Sequence, residues 1–556
     1  MTGFAQGIRR APVSGWWLLI LIPVLFLGFF FFAPLINILR LSITATAIRT
    51  LFTRGYYGRI IWFTVWQAAV STVLTLIVGF PAAWLFSHYR FRGQQWLKAL
   101  TTVPFVMPTV VVAAAFRALL GANGLLNAWL MWLTGSDVPL IRLEQSIVII
   151  LLAHVFYNVT VVVRLVGGFW GNLNPRVMEA AQTLGASPWR TFREVTLPLL
   201  RPSLVSASIL IYLFTFTSFG VILILGGPTF STLETEIYRQ YVTFLQPDIA
   251  AVLALLQIVF TFGLMSLYAR WQRKTAVSLD FRPHQTNLQP VKTWRQRIIL
   301  LIISSYLILF LVLPLLALVW RSLVDREGNL TLAYYTALPV LRRGSIIFVP
   351  PLTAVRNSIG YALLTVFSAG MLGVITASFL ARPSRWRDWL EPLFMLPLGV
   401  SAVTLGFGYV ITLNQLRTSP WLVLIAHTLV AFPFVVRTLL PVLQSIKPSL
   451  REAAAVMGAS PWQVWREIDL PIIGRALLVG SVFAFTVSMG EFGATSFIVR
   501  PNSGFLTVPI AIERYLSQPG ALNFGQAMAM STILMLVTAV GFMAIERFRY
   551  ADIGEF

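Results

Sequence analysis

Long apolar runs alternate with short polar stretches along almost the whole chain. The runs lie near 16–39, 60–87, 98–120, 145–170, 199–225 and 248–269, and again near 297–321, 355–380, 389–413, 420–442, 473–498 and 524–545. Each is long enough, at about 20 residues, to carry a helix through a bilayer. The pattern predicts an all-α membrane protein of about twelve transmembrane helices in two six-helix halves. Between the sets lies a polar, basic stretch with Arg270, Arg273, Lys274, Arg282, Lys292 and Arg295, interrupted by Pro283 and Pro290. It divides the chain into a first half (1–269), a cytoplasmic linker (270–296) and a second half (297–556). An even number of spans per half gives both the same orientation, a parallel repeat. Arg9 and Arg10 precede a first run that is too long for a signal-peptide core and lacks a small-residue cleavage site, so it reads as a retained span.

Composition sharpens this picture. The chain is 57% hydrophobic and only 11% charged, against about 25% charged in soluble proteins. The net charge of +22 does not indicate nucleic acid. The basic residues sit between apolar runs, where the positive-inside rule puts them, and not in one contiguous patch. Their bias places inside the segments His88–Lys98, Asn172–Pro198, the linker, Arg382–Asp388, Lys447–Asp469 and the tail with Arg547 and Arg549. Arg40, Arg49, Arg54, Arg59, Arg342 and Arg343 run against the bias. Absence of cysteine excludes disulfide, iron–sulfur and thiolate metal sites. The four lysines follow Leu97, Arg273, Val291 and Ile446, so no Gly-Lys pair exists and no phosphate-cradling loop of the G-x(4)-G-K-[ST] kind can form. No nucleophile or paired-carboxylate constellation stands out, and the chain does not read as an enzyme.

One polar-faced stretch occurs twice. Residues from Glu179 read EAAQTLGASPWRTFREVTLPLL and those from Glu452 read EAAAVMGASPWQVWREIDLPII, without a gap and 273 positions apart (452 − 179). Asn174-Pro175 and Lys447-Pro448 are helix starts, and Glu179 and Glu452 are expected near the positive end of a helical turn. Gly185 and Gly458 suit a left-handed helix end. Ser187-Pro188 and Ser460-Pro461 suit an N-cap followed by a first helical residue. The spacing predicts a helix–turn–helix in each copy. The same offset pairs His154 with His427 and Arg164 with Arg437, whereas Pro104 pairs with Pro397 at 293. The first half therefore carries extra residues around Gly121–Gln145, where a short interfacial helix is expected.

The repeated E-A-A-x(3)-G-A-S-P-W resembles the coupling motif of binding-protein-dependent ABC importer permeases. The fused two-half form resembles the ferric-iron and thiamine importer permeases, through Ala153–Asn158, Leu225–Arg239 and Gly490–Thr495 as well. The resemblance implies the type I importer permease fold in a bacterial cytoplasmic (inner) membrane. It implies that 179–194 and 452–467 are coupling helices docking into two ABC ATPase subunits, which bind ATP and Mg while this chain holds no cofactor. The implied contacts are Glu179, Ala180, Ala181, Gly185, Ala186, Ser187, Pro188 and Trp189, and in the second copy Glu452, Ala453, Ala454, Gly458, Ala459, Ser460, Pro461 and Trp462. The copies differ at Gln182/Ala455, Arg190/Gln463 and Thr196/Asp469. Gly226–Tyr241 and Pro501–Tyr515, each expected to hold a short helix, would face an extracytoplasmic substrate-binding protein. Ferric iron leads as substrate, thiamine or another small solute is the alternative, and an ion-coupled secondary transporter is the third reading.

Inside the spans, Glu491 stands out in Ser488-Met489-Gly490-Glu491-Phe492-Gly493, opposite Ser218 in Thr217-Ser218-Phe219-Gly220. An intramembrane acid is a functional hypothesis by default, and the glycines permit a helix break beside a cavity. Ser218, Phe219, Glu491 and Phe492 are expected to line the pathway or its gate; the plainer reading is a buried carboxylate paired with a neighbour. One acid is not a metal site, because hard cations take several oxygen ligands. His154 and His427 read as satisfied packing residues, and Arg164 and Arg437 as side chains snorkelling to the inner interface.

Overall fold

The computed structural model describes residues 16–550 apart from 276–287, 326, 343–344, 346, 382–386 and 501–502. Arg9, Arg10, Arg282, Pro283, Arg343, the start of the inner segment at Arg382 and the turn at Pro501-Asn502 lie outside the described residues. Among the described residues, eleven helices are long and apolar enough to cross a membrane, or twelve when the bent pair Trp389–Gly399 and Ala402–Thr412 counts as one. The chain is a multi-pass membrane protein. The expected linker is partly helical: the sixth span, Pro247–Thr275, runs past Arg270, and the seventh begins at Trp294. The interfacial helix of the first half is present as Leu125–Thr134.

The two halves interlock. Spans Gly55–His88, Ile147–Val161 and Leu197–Phe216 pack together in the first half, as do Pro351–Leu380, Pro420–Ser445 and Leu470–Gly490 in the second. The first span of each half packs outside its own trio. Ala33–Ser42 lies against Ala402–Thr412 of the second half, where Asn37 Nδ2 donates to Thr412 Oγ1 at 3.1 Å. Trp294–Leu323 lies against Thr109–Leu120 of the first half, and Tyr306 Oη donates to the Val78 carbonyl at 2.6 Å. Within each trio one glycine sets a close approach. A Cβ on Gly79 would come within 2.7 Å of Val162, and one on Gly373 within 2.5 Å of Val435. Small residues let membrane helices meet backbone to backbone, where packing replaces the hydrophobic drive.

Four of the expected spans are broken. The 98–120 run forms Gln94–Val106 and Thr109–Leu120, because Pro108 pushes Met107 out of helical geometry to φ −68, ψ 139. Its counterpart breaks at Val400, and Ser401 restarts the helix by accepting from the Val403 N–H at 3.1 Å. The 199–225 run stops at Phe216 and resumes at Gly220–Leu225; the 473–498 run stops at Gly490 and resumes at Gly493–Ile498. All four breaks face the centre of the molecule, where cavity and protein surround the exposed backbone groups that lipid would leave unsatisfied.

Candidate functional site

Two structures stand at opposite ends of the fifth and eleventh spans. At one end are the repeated segments. Helix Pro175–Thr183 starts with the Asn174 side chain accepting from Arg176 N at 3.1 Å. Gly185 has φ +91 and Gly458 φ +88. In the first copy Ala186 N bonds Ala181 O at 3.1 Å and Gly185 N bonds Gln182 O at 2.9 Å; in the second, Ala459 N bonds Ala454 O and Gly458 N bonds Ala455 O, both at 3.0 Å. This is the Schellman closure, which needs a left-handed residue at that point. Ser187 and Ser460 then cap Pro188–Thr191 and Pro461–Val464, and a widened π-helical turn, Phe192–Thr196 or Trp465–Asp469, leads into the span.

Glu179 and Glu452 do not lie at the positive ends of these helices. The helices begin four residues earlier, at Pro175 and Pro448, and both carboxylates are exposed beyond the first turn. What the turn presents is apolar: Leu184 is 89% exposed and Trp189 70%, Val456 87% and Met457 82%. Trp189 stacks on Phe192, and Trp462 on Trp465, with ring centroids 5.7 and 5.0 Å apart. The copies are held differently. Arg451 Nε and Asp469 Oδ1 lie 2.8 Å apart in the second, where the first has Met178 and Thr196. Ser460 and Gln463 form a reciprocal capping box, whereas Arg190 at the matching position pairs with Glu194 at 2.9 Å.

At the other end the helix breaks surround a cavity of about 530 Å³. Ser218, Phe219, Glu491 and Phe492 all line it, with His154, Tyr157, Asn158, Phe105, Phe214, Phe434 and Phe483. Along the eleventh span the lining runs from Val479 to Gly490, so the cavity lies on the repeated-segment side of the break. Phe219 and Phe492 stack, centroids 5.2 Å apart. Tyr238, Phe497, Tyr241 and Phe407 continue this aromatic packing beyond them.

Each histidine holds one break. His154 Nδ1 meets Ser71 Oγ at 3.0 Å and its Nε2 meets Ser218 Oγ at 2.9 Å. His427 Nδ1 meets Ser488 Oγ at 2.7 Å, and its Nε2 lies 3.0 Å from Thr495 Oγ1 and 3.5 Å from Glu491 Oε2. Glu491 also accepts from Ala494 N at 2.7 Å, from Thr495 N at 3.0 Å and from the Thr495 hydroxyl. It therefore caps the restarted helix and carries the only change of charge between the two breaks. Glu491 is thus a paired carboxylate, as the plainer reading expected, and it also lines the cavity. Arg164 is a correction: although exposed, it lines the cavity and donates to Thr102 Oγ1 at 2.9 Å from within the π-helical turn Val162–Val166.

Both outer segments hold short helices, Leu233–Val242 and Val508–Leu516. Their first N–H groups are met alike, Leu233 N by Thr64 Oγ1 at 3.0 Å and Val508 N by Ser358 Oγ at 2.9 Å. Arg239 and Arg514 fold back onto the carbonyls of Gly227 (2.6 Å) and Val499 (3.0 Å).

The family described as "Binding-protein-dependent transport system inner membrane component" matches residues 75–277 and 369–549. The chain belongs to this family. It is the permease of an ABC importer, with both type I transmembrane halves on one polypeptide. Among curated relatives, the thiamine transport system permease protein ThiP of Escherichia coli is 28% identical over 504 residues, covering 89% of each chain. ThiP of Haemophilus influenzae is 26% identical over 528 residues, covering 91% of each. A solved bacterial alginate ABC transporter chain is 18% identical and aligns over 47% of this permease and 96% of itself, with a TM-score of 0.41.

The permease also holds a buried acid that the sequence reading passed over. Glu234 Oε2 accepts from Ser401 Oγ at 2.8 Å and Oε1 accepts from Gln257, while Thr404 Oγ1 reaches Gln257 at 3.4 Å. The first half's outer helix is thereby fastened to the second half's broken span. Nothing in the sequence singles it out, because Glu234 stands in the polar run Ser231-Thr232-Leu233-Glu234-Thr235-Glu236.

Proposed function

We propose that this permease forms the translocation pathway for thiamine, delivered by an extracytoplasmic binding protein and driven by two ABC ATPase subunits that bind ATP and Mg. The observation that carries the substrate is likeness along nearly the full length to thiamine transport permeases. The cavity supports it. Thiamine is an aromatic heterocyclic cation, and about 300–1,000 Å³ is the usual size of a small-molecule pocket. Here three aromatic pairs, Phe105/Phe214, Phe434/Phe483 and Phe219/Phe492, line a space with one carboxylate, Glu491, and one guanidinium, Arg164, which bonds Thr102. Aromatic faces attract cations, more so where water is excluded. Ferric iron, which led on the sequence alone, gains no comparable support, since hard cations want several oxygens and both Glu491 oxygens are engaged.

In this reading the exposed turns at Leu184–Trp189 and Val456–Trp462 sit in clefts of the ATPases. Closure of those subunits on ATP draws the two turns together. The movement passes along the fifth and eleventh spans to the Phe219–Phe492 stack, which parts on the outer side. Loaded binding protein shifts the equilibrium only as far as it binds the outward state better. The outer helices at Leu233–Val242 and Val508–Leu516 are mostly buried, so the surface it would touch is the exposed turn after each, residues 243–246 and 517–520. The test is uptake of radiolabelled thiamine into proteoliposomes holding this chain with its ABC ATPase and a binding protein. ATP-dependent accumulation of thiamine and not of ferric iron is expected; the reverse selectivity overturns the substrate, and uptake without the ATPase overturns the mechanism.

A further inference from the structure

A second concavity, of about 580 Å³, lies far from the pathway, on the lipid-facing flank between Gln94–Val106 and Trp294–Leu323. One wall carries Arg92, Trp96 and Leu100, the other Arg297, Leu301 and Ile308. It is open to the membrane: Trp96 is 81% exposed and Leu301 66%. Both arginines stand at the end of the groove nearest the linker, both are exposed, and neither has an acidic partner among the described residues. The parallel pairing of Tyr89–Arg90 with Gln289–Pro290 fixes the two polar edges beside each other, although they come from different halves.

The dimensions identify an occupant. From Arg297 to Ile308 the groove follows eleven residues of one helix, about 16 Å at about 1.5 Å per residue. That is about half of a hydrocarbon core about 30 Å thick, one leaflet. The groove is cationic at the interface and apolar from there to the midplane. A soluble metabolite would leave its lower part empty, and a peptide segment would leave backbone groups unsatisfied in lipid. We infer that the groove binds one anionic phospholipid of the inner leaflet, with its phosphate between Arg92 and Arg297 and an acyl chain along Leu100, Leu301 and Ile308. Basic pockets between spans on the cytoplasmic side recognise such headgroups, and Trp96 stands at the interfacial depth where indoles anchor. Because Arg92 belongs to the first half and Arg297 to the second, the lipid bridges them.

Native mass spectrometry of the purified full-length chain tests this, with titration of phosphatidylglycerol against phosphatidylcholine of identical acyl chains. The wild type should retain one phosphatidylglycerol with a preference of about five-fold or more. Arg92→Gln/Arg297→Gln should lose that preference while keeping its melting temperature. Leu301→Trp, which fills the groove without touching the charges, should lower retention of both lipids. Equal retention of the two lipids by the wild type, or an undiminished preference in the double variant, overturns the site.

Discussion

Phe219 and Phe492 occupy the same position in the two halves of the chain, and their rings stack at 5.2 Å. A repeat whose copies meet face to face at one residue marks the axis of the molecule, and here it also closes the cavity. Stacked aromatic pairs contribute about 0.5–1.5 kcal/mol beyond their buried area. Phe219→Ala/Phe492→Ala should therefore shift the closed state towards opening by about two- to ten-fold. The readout is ATP hydrolysis by the assembled transporter without binding protein, which should rise by that factor. Unchanged basal hydrolysis in a correctly folded double variant would remove the gate role.

Glu491 has two tasks that two substitutions separate. Glu491→Ala leaves the amides of Ala494 and Thr495 without their acceptor, and His427 without the carboxylate 3.5 Å from its Nε2. Stability should fall by about 2–5 kcal/mol, seen as a lower melting temperature in detergent. Glu491→Gln keeps an acceptor and removes the charge. It should melt close to the wild type and slow the uptake of thiamine, the proposed cargo.

Gly185 and Gly458 sit at φ +91 and +88. A Cβ there costs about 1–2 kcal/mol, and nothing lies within 4 Å of it, so the cost is backbone strain alone. Gly185→Ala and Gly458→Ala should each leave the spans intact and weaken stimulation of the ATPase by loaded binding protein. Full stimulation in the double variant would argue that these turns do not carry the drive.

The clamp between Arg451 and Asp469 is present only in the second copy. A partly exposed pair is worth about 1 kcal/mol or less, so Asp469→Thr should speed amide exchange across Pro448–Val456 by up to about five-fold. Exchange in Pro175–Thr183 should not move. If both segments respond together, the copies are mechanically coupled and the asymmetry has no separate role.

Much of this was legible along the chain because the signals are local. The turn at Gly185, the cap at Ser187 and the proline at Pro188 each act within four residues, and twelve apolar runs need no partner to be recognised. The break at Pro108 is not foreseen in the apolar run 98–120, and its meaning depends on a cavity assembled from both halves. The contact of His427 with Glu491 joins two spans, and that of Glu234 with Ser401 joins the two halves. No periodicity within either segment specifies them. Glu179 and Glu452 show the opposite failure: the helix starts at Pro175 and Pro448 are legible, but a carboxylate four residues beyond them lies past the first turn and is no helix-end charge.

Fusion of the halves has a consequence at the cavity. Were the molecule made of two identical chains, any acid at this position would face its own duplicate, and two buried negative groups would compete for one space. On a single polypeptide, Ser218 answers Glu491 and the vestibule has just one anionic side. Under the proposed function, a cationic aromatic cargo in this cavity would be oriented, its charge to one wall and its flat rings to the other.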